Sequence, residues 1–188
     1  MLARVRVQSR AMPTETIVVS EIIPATPDRL YSAWLSSDEH SSFTGNHADI
    51  DPRIGGRHST FGGYAVGANV ELVPGERIVQ TWRTSEFPSD APDSRVEVSF
   101  EETMGGTLLT IQHAEIPAGK GAAIADAWIR HYLDPMRAYY GSASERGGNG
   151  VAAKPKAKVP ARATAAKAPR PKVKAKAKAK LKSAPKRR

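Results

Sequence analysis

The chain has 188 residues and a net charge of +9, but residues 151–188 hold 15 of its 28 basic residues and no acidic one, so residues 1–150 carry a net charge of −6. The excess of basic residues is therefore confined to residues 151–188. It does not predict a basic face on a folded domain formed by the rest of the chain. The absence of cysteine excludes disulfides, thiolate metal sites and a thiol nucleophile, and no apolar run approaches the ~20 residues that span a bilayer.

The first elements along the chain are a strand and a short helix. Residues 1–13 are expected to be a disordered leader, with Met12 as an alternative start. Residues 14–23 are rich in β-branched side chains and predict a strand. Thr26 as N-cap and Pro27 at the first helical position then predict an amphipathic helix, because both residue types favour helix starts.

The middle of the chain predicts antiparallel strands joined by turns. Residues 36–45 indicate a helical turn and a loop, and residues 51–63 indicate short strands with bends. A strand follows in which alternate residues are apolar, which predicts that they share one face. These residues are Val66, Ala68, Val70 and Leu72. Pro74-Gly75 is a typical turn, after which residues 77–83 return as the next strand.

A second hairpin has the clearest alternation in the sequence. Val96, Val98 and Phe100 share one face of its first strand, and polar residues occupy the other. Gly105-Gly106 provides the turn. Residues 107–113 return with Leu109, Ile111 and His113 on one face. This hairpin therefore predicts a sheet with one apolar side.

The end of the domain predicts one long helix. Between residues 120 and 140 a large side chain recurs at every fourth position, which forms an apolar stripe: Ile124, Trp128, Tyr132, Met136 and Tyr140. Pro135 removes a backbone hydrogen bond, so we expect a kink or break near Tyr132. Gly141 is expected to end the helix, with residues 142–150 as a linker.

The order of these elements predicts an α+β domain over residues 14–141. An antiparallel sheet with one apolar face is covered by a long helix with a matching stripe. If the sheet is strongly curved, room remains between the two layers, and such a gap is a typical site for a small molecule.

Four segments resemble a known family. They are PDRLYSAW at 27–34, GANVELVPGERIVQTW at 67–82, SRVEVSFEETMGGTLLTIQHAEIP at 94–117 and WIRHYLDPM at 128–136. In order and spacing they resemble the START-like superfamily of helix-grip folds, also called SRPBCC or birch-pollen-allergen-like. Within it, the chain is most similar to the branch named for the activator of heat shock protein 90 ATPase.

The resemblance implies a curved antiparallel sheet wrapped around the C-terminal helix. The superfamily includes ligand binders and polyketide cyclases or aromatases. In the eukaryotic cochaperone that gave the branch its name, stimulation of the chaperone depends heavily on a separate N-terminal domain. Because one fold carries so many chemistries, the resemblance alone does not choose among them.

Large side chains from several predicted elements are candidates to line the ligand pocket, although each taken singly is typical of an ordinary core. These are Trp34, Phe43, Phe61, Tyr64, Trp82, His113, Trp128, Tyr132 and Met136. His113 is also a candidate for acid–base catalysis, and its alternative role is that of a hydrogen-bonded structural histidine. His131 either flanks the apolar stripe or is exposed.

Metal and cofactor sites are not indicated. His47, Asp49 and Asp51 would project to one side of an extended segment, but a zinc site needs three or four converging donors, so a solvated loop is the better interpretation. His40 and His58 have no evident partners. The sequence contains no G-x-S-x-G elbow, no H-E-x-x-H and no phosphate loop, so a hydrolase is poorly supported.

Residues 151–188 are predicted to be a disordered basic tail, because they contain no aromatic residue, five prolines and lysines that repel each other. The composition resembles linker-histone tails and predicts binding to nucleic acid without sequence preference, through counterion release. The alternative is a solubilising tail or one that binds an anionic membrane. The candidate contacts are Lys154, Lys156, Lys158, Lys167, Arg170, Lys172, Lys174, Lys176, Lys178, Lys180, Lys182, Lys186, Arg187 and Arg188.

Three functions remain open at this point. The first is a module that binds a small apolar or amphipathic molecule and is held near nucleic acid by the tail. The second is an enzyme of the cyclase or dehydratase type, with His113 or a tyrosine transferring protons. The third is a chaperone accessory. The absence of a convergent acid–base set favours the first, and the expected location is the cytoplasm, with nucleoid association through the tail.

Overall fold

Seven antiparallel strands and a C-terminal helix form the domain in the computed structural model, which describes residues 13–146. The strands are β1 (Thr14–Ile23), β2 (Asp49–Ile50), β3 (Arg57–Thr60), β4 (Ala65–Val73), β5 (Arg77–Thr84), β6 (Ser94–Thr103) and β7 (Gly106–Pro117). Their order in the sheet is β1-β7-β6-β5-β4-β3-β2, so β1 and β2 are the edges. The predicted α+β class and curved sheet are confirmed.

The predicted strand β1 and hairpin β6–β7 are confirmed in position and facing. Val96 lies opposite His113, Val98 opposite Ile111 and Phe100 opposite Leu109. All six side chains are buried. This agreement follows from strict alternation, because a slip of one residue would move every apolar side chain to the other face.

Strand β4 differs from the prediction. Val66 and Val70 were expected on the apolar face, yet both are exposed, and Ala65 and Asn69 are buried instead. The side-chain amide of Asn69 donates to the backbone carbonyls of Asp51 and Arg53, at 2.8 and 3.1 Å. A buried polar residue with all its partners thus decides which face of this strand points inward.

Two short helices follow β1, α1 (Pro27–Trp34) and α2 (Ser37–Thr44). Pro27 occupies the start of α1 as predicted, although the side chain of Thr26 makes no capping hydrogen bond. Ser36 caps α2 by accepting from the backbone N–H of Glu39 at 3.4 Å. Gly45 ends α2 in the left-handed conformation, with φ of 69°.

The C-terminal helix has three consecutive parts, α3 (Gly121–Trp128), one π-helical turn (Ile129–Leu133) and α4 (Asp134–Arg146). The π turn lies immediately before Pro135, where the sequence predicted a kink or break, because proline cannot donate to the preceding turn. The prediction that Gly141 ends the helix is wrong, since α4 continues to Arg146. The residues after Gly141 include good helix formers.

The start of this helix is held by β1, the edge strand that pairs with β7. The carboxylate of Glu15 on β1 accepts hydrogen bonds from the backbone N–H groups of Gly119 and Gly121, each at 2.7 Å. These bonds satisfy amides that the helix leaves free, and they lower the pKa of the Glu15 carboxyl. The start of the helix is therefore fixed against β1.

One hydrophobic core joins the sheet, α1, α2 and the C-terminal helix. The predicted stripe is confirmed, because Trp128, Tyr132, Met136 and Tyr140 are buried and Ile124 packs against them. None of the helices formed by residues 13–146 combines the length and the hydropathy that a bilayer crossing requires. The predicted leader up to Met12, the second part of the linker and the whole basic tail lie outside the described residues.

Candidate functional site

A cavity of about 220 Å³ lies between the C-terminal helix and the end of the sheet formed by β4 and β5. The helix contributes residues from α3 and the π turn, and the sheet side contributes β5 and the segment just before β4. The lining residues are Phe61, Tyr64, Ala65, Trp82, Thr84, Ile124, Ala127, Trp128, His131 and Tyr132. The cavity is therefore mainly apolar and half of its lining residues are aromatic, as is common in small-molecule sites.

The aromatic rings around the cavity are inclined to one another. The Trp82 and Trp128 ring centroids are 5.0 Å apart with planes at 46°, and those of Trp128 and Tyr132 are 4.5 Å apart at 52°. The Phe61 ring meets the Tyr132 ring at 5.4 Å and 65°. These inclined contacts join the rings into one aromatic wall of the cavity.

Backbone irregularities border this cavity in two segments of the chain. Phe61 has φ of 52°, a left-handed conformation that is unfavourable for a residue with a side chain, and Gly62 and Gly63 also have positive φ. The π turn supplies His131 and Tyr132, whose rings contact the Phe61 ring at 5.9 and 5.4 Å. Strained backbone and π turns both concentrate at functional sites, so their meeting here supports a role for the cavity.

Few polar groups reach the cavity. The hydroxyl of Tyr132 donates to Thr60 at 3.4 Å, and its burial raises its pKa. Tyr64 lies at the mouth with 42% of its surface exposed. Partial burial, followed by the charge of Glu86 and its hydrogen bond, raises the pKa of Tyr64. Both phenols are therefore neutral hydrogen-bonding groups near pH 7.

Several predicted pocket residues pack behind the cavity instead of lining it. We call the buried core behind the cavity the packed part of the helix–sheet layer. It contains Trp34, Phe43, Met136, Gln80 and His113. Trp34 stacks on Tyr132 at 5.4 Å and on Trp128 at 6.2 Å. The packed part therefore supports the rings that line the cavity.

A buried polar chain holds Trp34 in place. Its indole N–H donates to the Oε1 atom of Gln80 at 3.1 Å, and the Gln80 amide donates to the Oδ1 atom of Asn69 at 2.8 Å. Asn69 in turn donates to backbone carbonyls of the loop before β3. Because each of these buried polar groups has a partner, the hydrogen bonds among them fix α1 relative to β4 and β5.

His113 is fully buried and does not reach the cavity. The indole N–H of Trp128 donates to its Nδ1 atom at 3.1 Å, so Nδ1 carries no proton. Its Nε2 atom lies 2.7 Å from the Ser94 hydroxyl, which donates to the Trp82 carbonyl, so Nε2–H donates to Ser94. Burial lowers the pKa of His113 to about 4. The ring is thus neutral, with both nitrogens occupied.

Two further histidines are buried, which the sequence did not indicate. His40 lies 3.0 Å from the Trp34 carbonyl through Nδ1, and His58 lies 3.1 Å from the Thr81 carbonyl through Nε2. Burial lowers the pKa of each to about 4. Among the described residues, the second ring nitrogen of each has no hydrogen-bond partner. Both are therefore neutral at pH 7.

The segment with His47, Asp49 and Asp51 is largely solvated, although Asp49 belongs to strand β2 and is not in a loop. His47 and Asp49 are exposed, and Asp51 binds Arg53 through two hydrogen bonds of 2.8 and 2.6 Å. Within residues 13–146 there is no group of three or more His, Asp or Glu side chains placed to hold a metal ion. The candidate nucleic-acid contacts of residues 151–188 lie outside that range.

Five lining residues were absent from the predicted pocket set: Ala65, Thr84, Ile124, Ala127 and His131. Their signal is positional. Ile124, Ala127 and His131 recur at three- and four-residue spacing beside Trp128, which places them along one helix face. Thr84 lies two residues after Trp82 and so shares its strand face.

Comparisons with known proteins agree with this architecture. A relative from Dictyostelium discoideum, named activator of 90 kDa heat shock protein ATPase homolog, is 28% identical over 70% of this chain and 34% of its own length. The Homo sapiens homolog 1 of the same name is 25% identical over 69% of this chain and 38% of its own length. The chain thus spans little more than a third of the curated relatives it matches.

Solved structures show the same fold. An HSP90 activator from Plasmodium falciparum superposes with a TM-score of 0.60 at 23% identity, over 70% of this chain and 97% of the other. CalU16 from Micromonospora echinospora gives 0.57 at 23% identity, over 71% and 80%. The family model described as Activator of Hsp90 ATPase homolog 1-like protein matches residues 24–141. Since this match covers more than half of the chain, the protein belongs to the Activator of Hsp90 ATPase homolog 1-like family, within the SRPBCC helix-grip fold.

Proposed function

We propose that the domain binds a small apolar or amphipathic molecule in the cavity beneath the C-terminal helix. The observation that carries this proposal is the aromatic cavity itself, whose lining includes a strained turn at Phe61 and part of the π turn at residues 129–133. Its volume of about 220 Å³ is below the roughly 300–1,000 Å³ of pockets for drug-sized ligands, so the occupant is small.

Binding is favoured over catalysis by the polar groups near the cavity. A proton-transfer enzyme needs an acid and a base that converge on the substrate. The lining residues include one imidazole, His131, and no carboxylate. His113, the other candidate, uses both ring nitrogens in hydrogen bonds within the protein. These contacts support a binding role.

The test is a calorimetric titration of the full chain with indole, a neutral ring of suitable size, together with NMR spectra of the tryptophan side chains. We expect Ala127→Leu, which fills the cavity, to weaken binding by at least about tenfold. Ala122→Leu is the matched control, because Ala122 is exposed on the same helix outside the cavity. Equal binding by both variants would refute the proposal.

The natural occupant is sought by native mass spectrometry. Full-length protein purified from its own cells is expected to carry a small-molecule adduct. The same adduct should be depleted in Ala127→Leu and retained in Ala122→Leu. An adduct that is equal in both variants would place the ligand elsewhere on the chain.

We further propose that residues 151–188 bind nucleic acid without sequence preference and hold the protein at the nucleoid in the cytoplasm. The composition carries this proposal, since 15 basic residues are accompanied by no acidic or aromatic residue. Affinity for duplex DNA then falls with salt, with a slope of about −0.9 per phosphate contact. Aromatic stacking on single strands is not available to this segment.

The tail proposal is tested with charge-matched variants. Replacing Lys174, Lys176, Lys178 and Lys180 by glutamine should make the salt slope shallower by about 3 to 4, from ~0.9 per lost contact. Replacing the same four by arginine keeps the charge and should preserve the slope. Binding of anionic vesicles in preference to DNA would overturn the nucleic-acid proposal.

A second candidate function is that of an accessory protein of an Hsp90-type chaperone. The observation that favours it is the name of the relatives, which are activators of 90 kDa heat shock protein ATPase. Since the chain spans little more than a third of them, the proposal concerns this domain alone. The test measures whether the full chain raises the ATPase rate of the Hsp90 from the same organism. An unchanged rate at saturating protein would dismiss it.

A further inference from the structure

Five aromatic rings surround the cavity, and no lysine or arginine is among its lining residues. The rings belong to Phe61, Tyr64, Trp82, Trp128 and Tyr132. A cavity for an acidic or phosphorylated molecule would be expected to present a cationic donor to it. A purely apolar ligand, by contrast, has no need of so many aromatic residues in place of aliphatic ones. The composition of the lining therefore favours a cationic ligand over an anionic or a purely apolar one.

Aromatic faces attract cations, because the ring quadrupole places negative potential above and below the plane. Tryptophan is the strongest partner and tyrosine is the next, and the attraction increases when the cation is removed from water. The rings here pack against one another at centroid distances of 4.5 to 5.4 Å, inclined at 46°, 52° and 65°, so they form one continuous aromatic wall of the cavity. This geometry suits a compact, rounded cation.

The charges nearest the mouth point the same way. Tyr64 at the mouth interacts with the carboxylate of Glu86. Glu86 has an ion pair with Lys120, but the N–O separation is 3.8 Å, which is long for such a pair. Arg130 in the neighbouring π turn is paired with Asp126.

We propose that the occupant of the cavity carries a small quaternary ammonium group. This inference rests on the proposed binding function and adds the charge and shape of the ligand to it. The ammonium head lies against the wall formed by Trp82, Trp128 and Tyr132, and Tyr64 closes the mouth beside Glu86. The rest of the molecule extends past Tyr64 toward solvent.

The experiment compares two molecules of the same shape and different charge on the full chain. Choline carries a trimethylammonium head, and 3,3-dimethylbutan-1-ol replaces the charged nitrogen by carbon. Calorimetry is expected to give at least about tenfold tighter binding of choline, the size of a desolvated cation–π contribution. Indole serves as the neutral aromatic probe, and NMR shifts of the Trp82 and Trp128 indole protons report the location.

Each outcome separates the ligand class from the binding function. Equal or tighter binding of the neutral isostere would overturn the cation and leave a cavity for apolar molecules. Binding of indole without choline would do the same. If none of the three probes binds, both the inference and the proposed small-molecule function fail.

Substitutions at the mouth locate the effect. Tyr64→Leu removes the ring and should weaken choline binding at least about fivefold, while Tyr64→Phe keeps the ring and should stay within about twofold of the natural protein. Tyr139→Leu is the control, because Tyr139 is 38% exposed, close to the 42% of Tyr64, and lies outside the cavity. Unchanged choline affinity in Tyr64→Leu would overturn the assignment.

Discussion

The packed part of the helix–sheet layer and the cavity beside it use the same kinds of side chain in different ways. In the packed part, the indole of Trp34 and both ring nitrogens of His113 are tied to named partners. Around the cavity, rings of the same type border open space. Trp128 belongs to both regions, since its N–H binds His113 and its ring lines the cavity. The comparison shows that side chains in the packed part are fixed by polar partners, whereas those around the cavity leave space beside them.

Acid should lower the free energy of unfolding through the buried histidines, and this is the largest effect we expect. Burial lowers the pKa of His40, His58 and His113 from 6.5 to about 4. The unfolded chain therefore binds protons more readily, so the stability is complete above about pH 6.5 and is lost as the pH falls toward 4. Each histidine contributes a slope of at most about 1.4 kcal/mol per pH unit, and the three together contribute at most about 4 kcal/mol per pH unit.

The measurement is the free energy of unfolding in urea between pH 7.5 and 5. His113→Gln should reduce the pH slope by about a third of its value, because one of three titrating groups is removed. Gln112→Leu, on the exposed face of β7, is the control, because it removes no titratable group and should keep the full slope. A stability that stays level over this interval would contradict the assignment of three neutral buried histidines.

The next effect concerns the buried polar chain. Gln80→Leu keeps the volume but leaves the Trp34 N–H and the Asn69 Oδ1 atom without their partner. Each unsatisfied buried group costs about 1–3 kcal/mol, so a loss of about 3 kcal/mol is expected in denaturant unfolding. Gln112→Leu, on the exposed face of β7, should stay within about 0.5 kcal/mol. If Gln80→Leu lowered the free energy of unfolding by less than about 1 kcal/mol, these buried hydrogen bonds would contribute little to stability.

Replacing an alanine by leucine at two positions tests the difference in packing between the core and the cavity. Ala33 is fully buried in α1, and Ala33→Leu should cost about 1–3 kcal/mol by overpacking. Ala127 borders the cavity, and Ala127→Leu should be neutral or stabilise by up to about 1 kcal/mol, because it fills open space. Thermal unfolding of the two variants checks this. Equal losses would show that the cavity region is as tightly packed as the core.

Periodicity explains which parts of the fold could be predicted. The β6–β7 hairpin and the stripe of the C-terminal helix follow local repeats, and both are confirmed. The inward face of β4 could not be predicted in this way, because Asn69 is buried by partners 16 to 18 residues away in the chain. A pattern of apolar residues carries no record of such a long-range polar contact.

The candidate site was predicted in part for a similar reason. Phe61, Tyr64, Trp82, Trp128 and Tyr132 line the cavity, whereas Trp34, Phe43, His113 and Met136 do not. Large side chains identify a core, but the side of that core that remains open depends on the turn at Phe61 and on the π turn. The burial of His40 and His58 likewise depends on ring neighbours such as Trp34 and Trp82, which no local pattern records.

The smallest expected effect is at the mouth of the cavity. Tyr64→Phe and Tyr64→Leu should each change the free energy of unfolding by no more than about 0.5 kcal/mol, because Tyr64 is 42% exposed and outside the main core. Denaturant unfolding at pH 7.5 is the measurement. A loss above about 1 kcal/mol in Tyr64→Leu would place Tyr64 in the packed part. If stability is retained while choline affinity falls, the ring serves the ligand, because a structural ring would have changed both quantities.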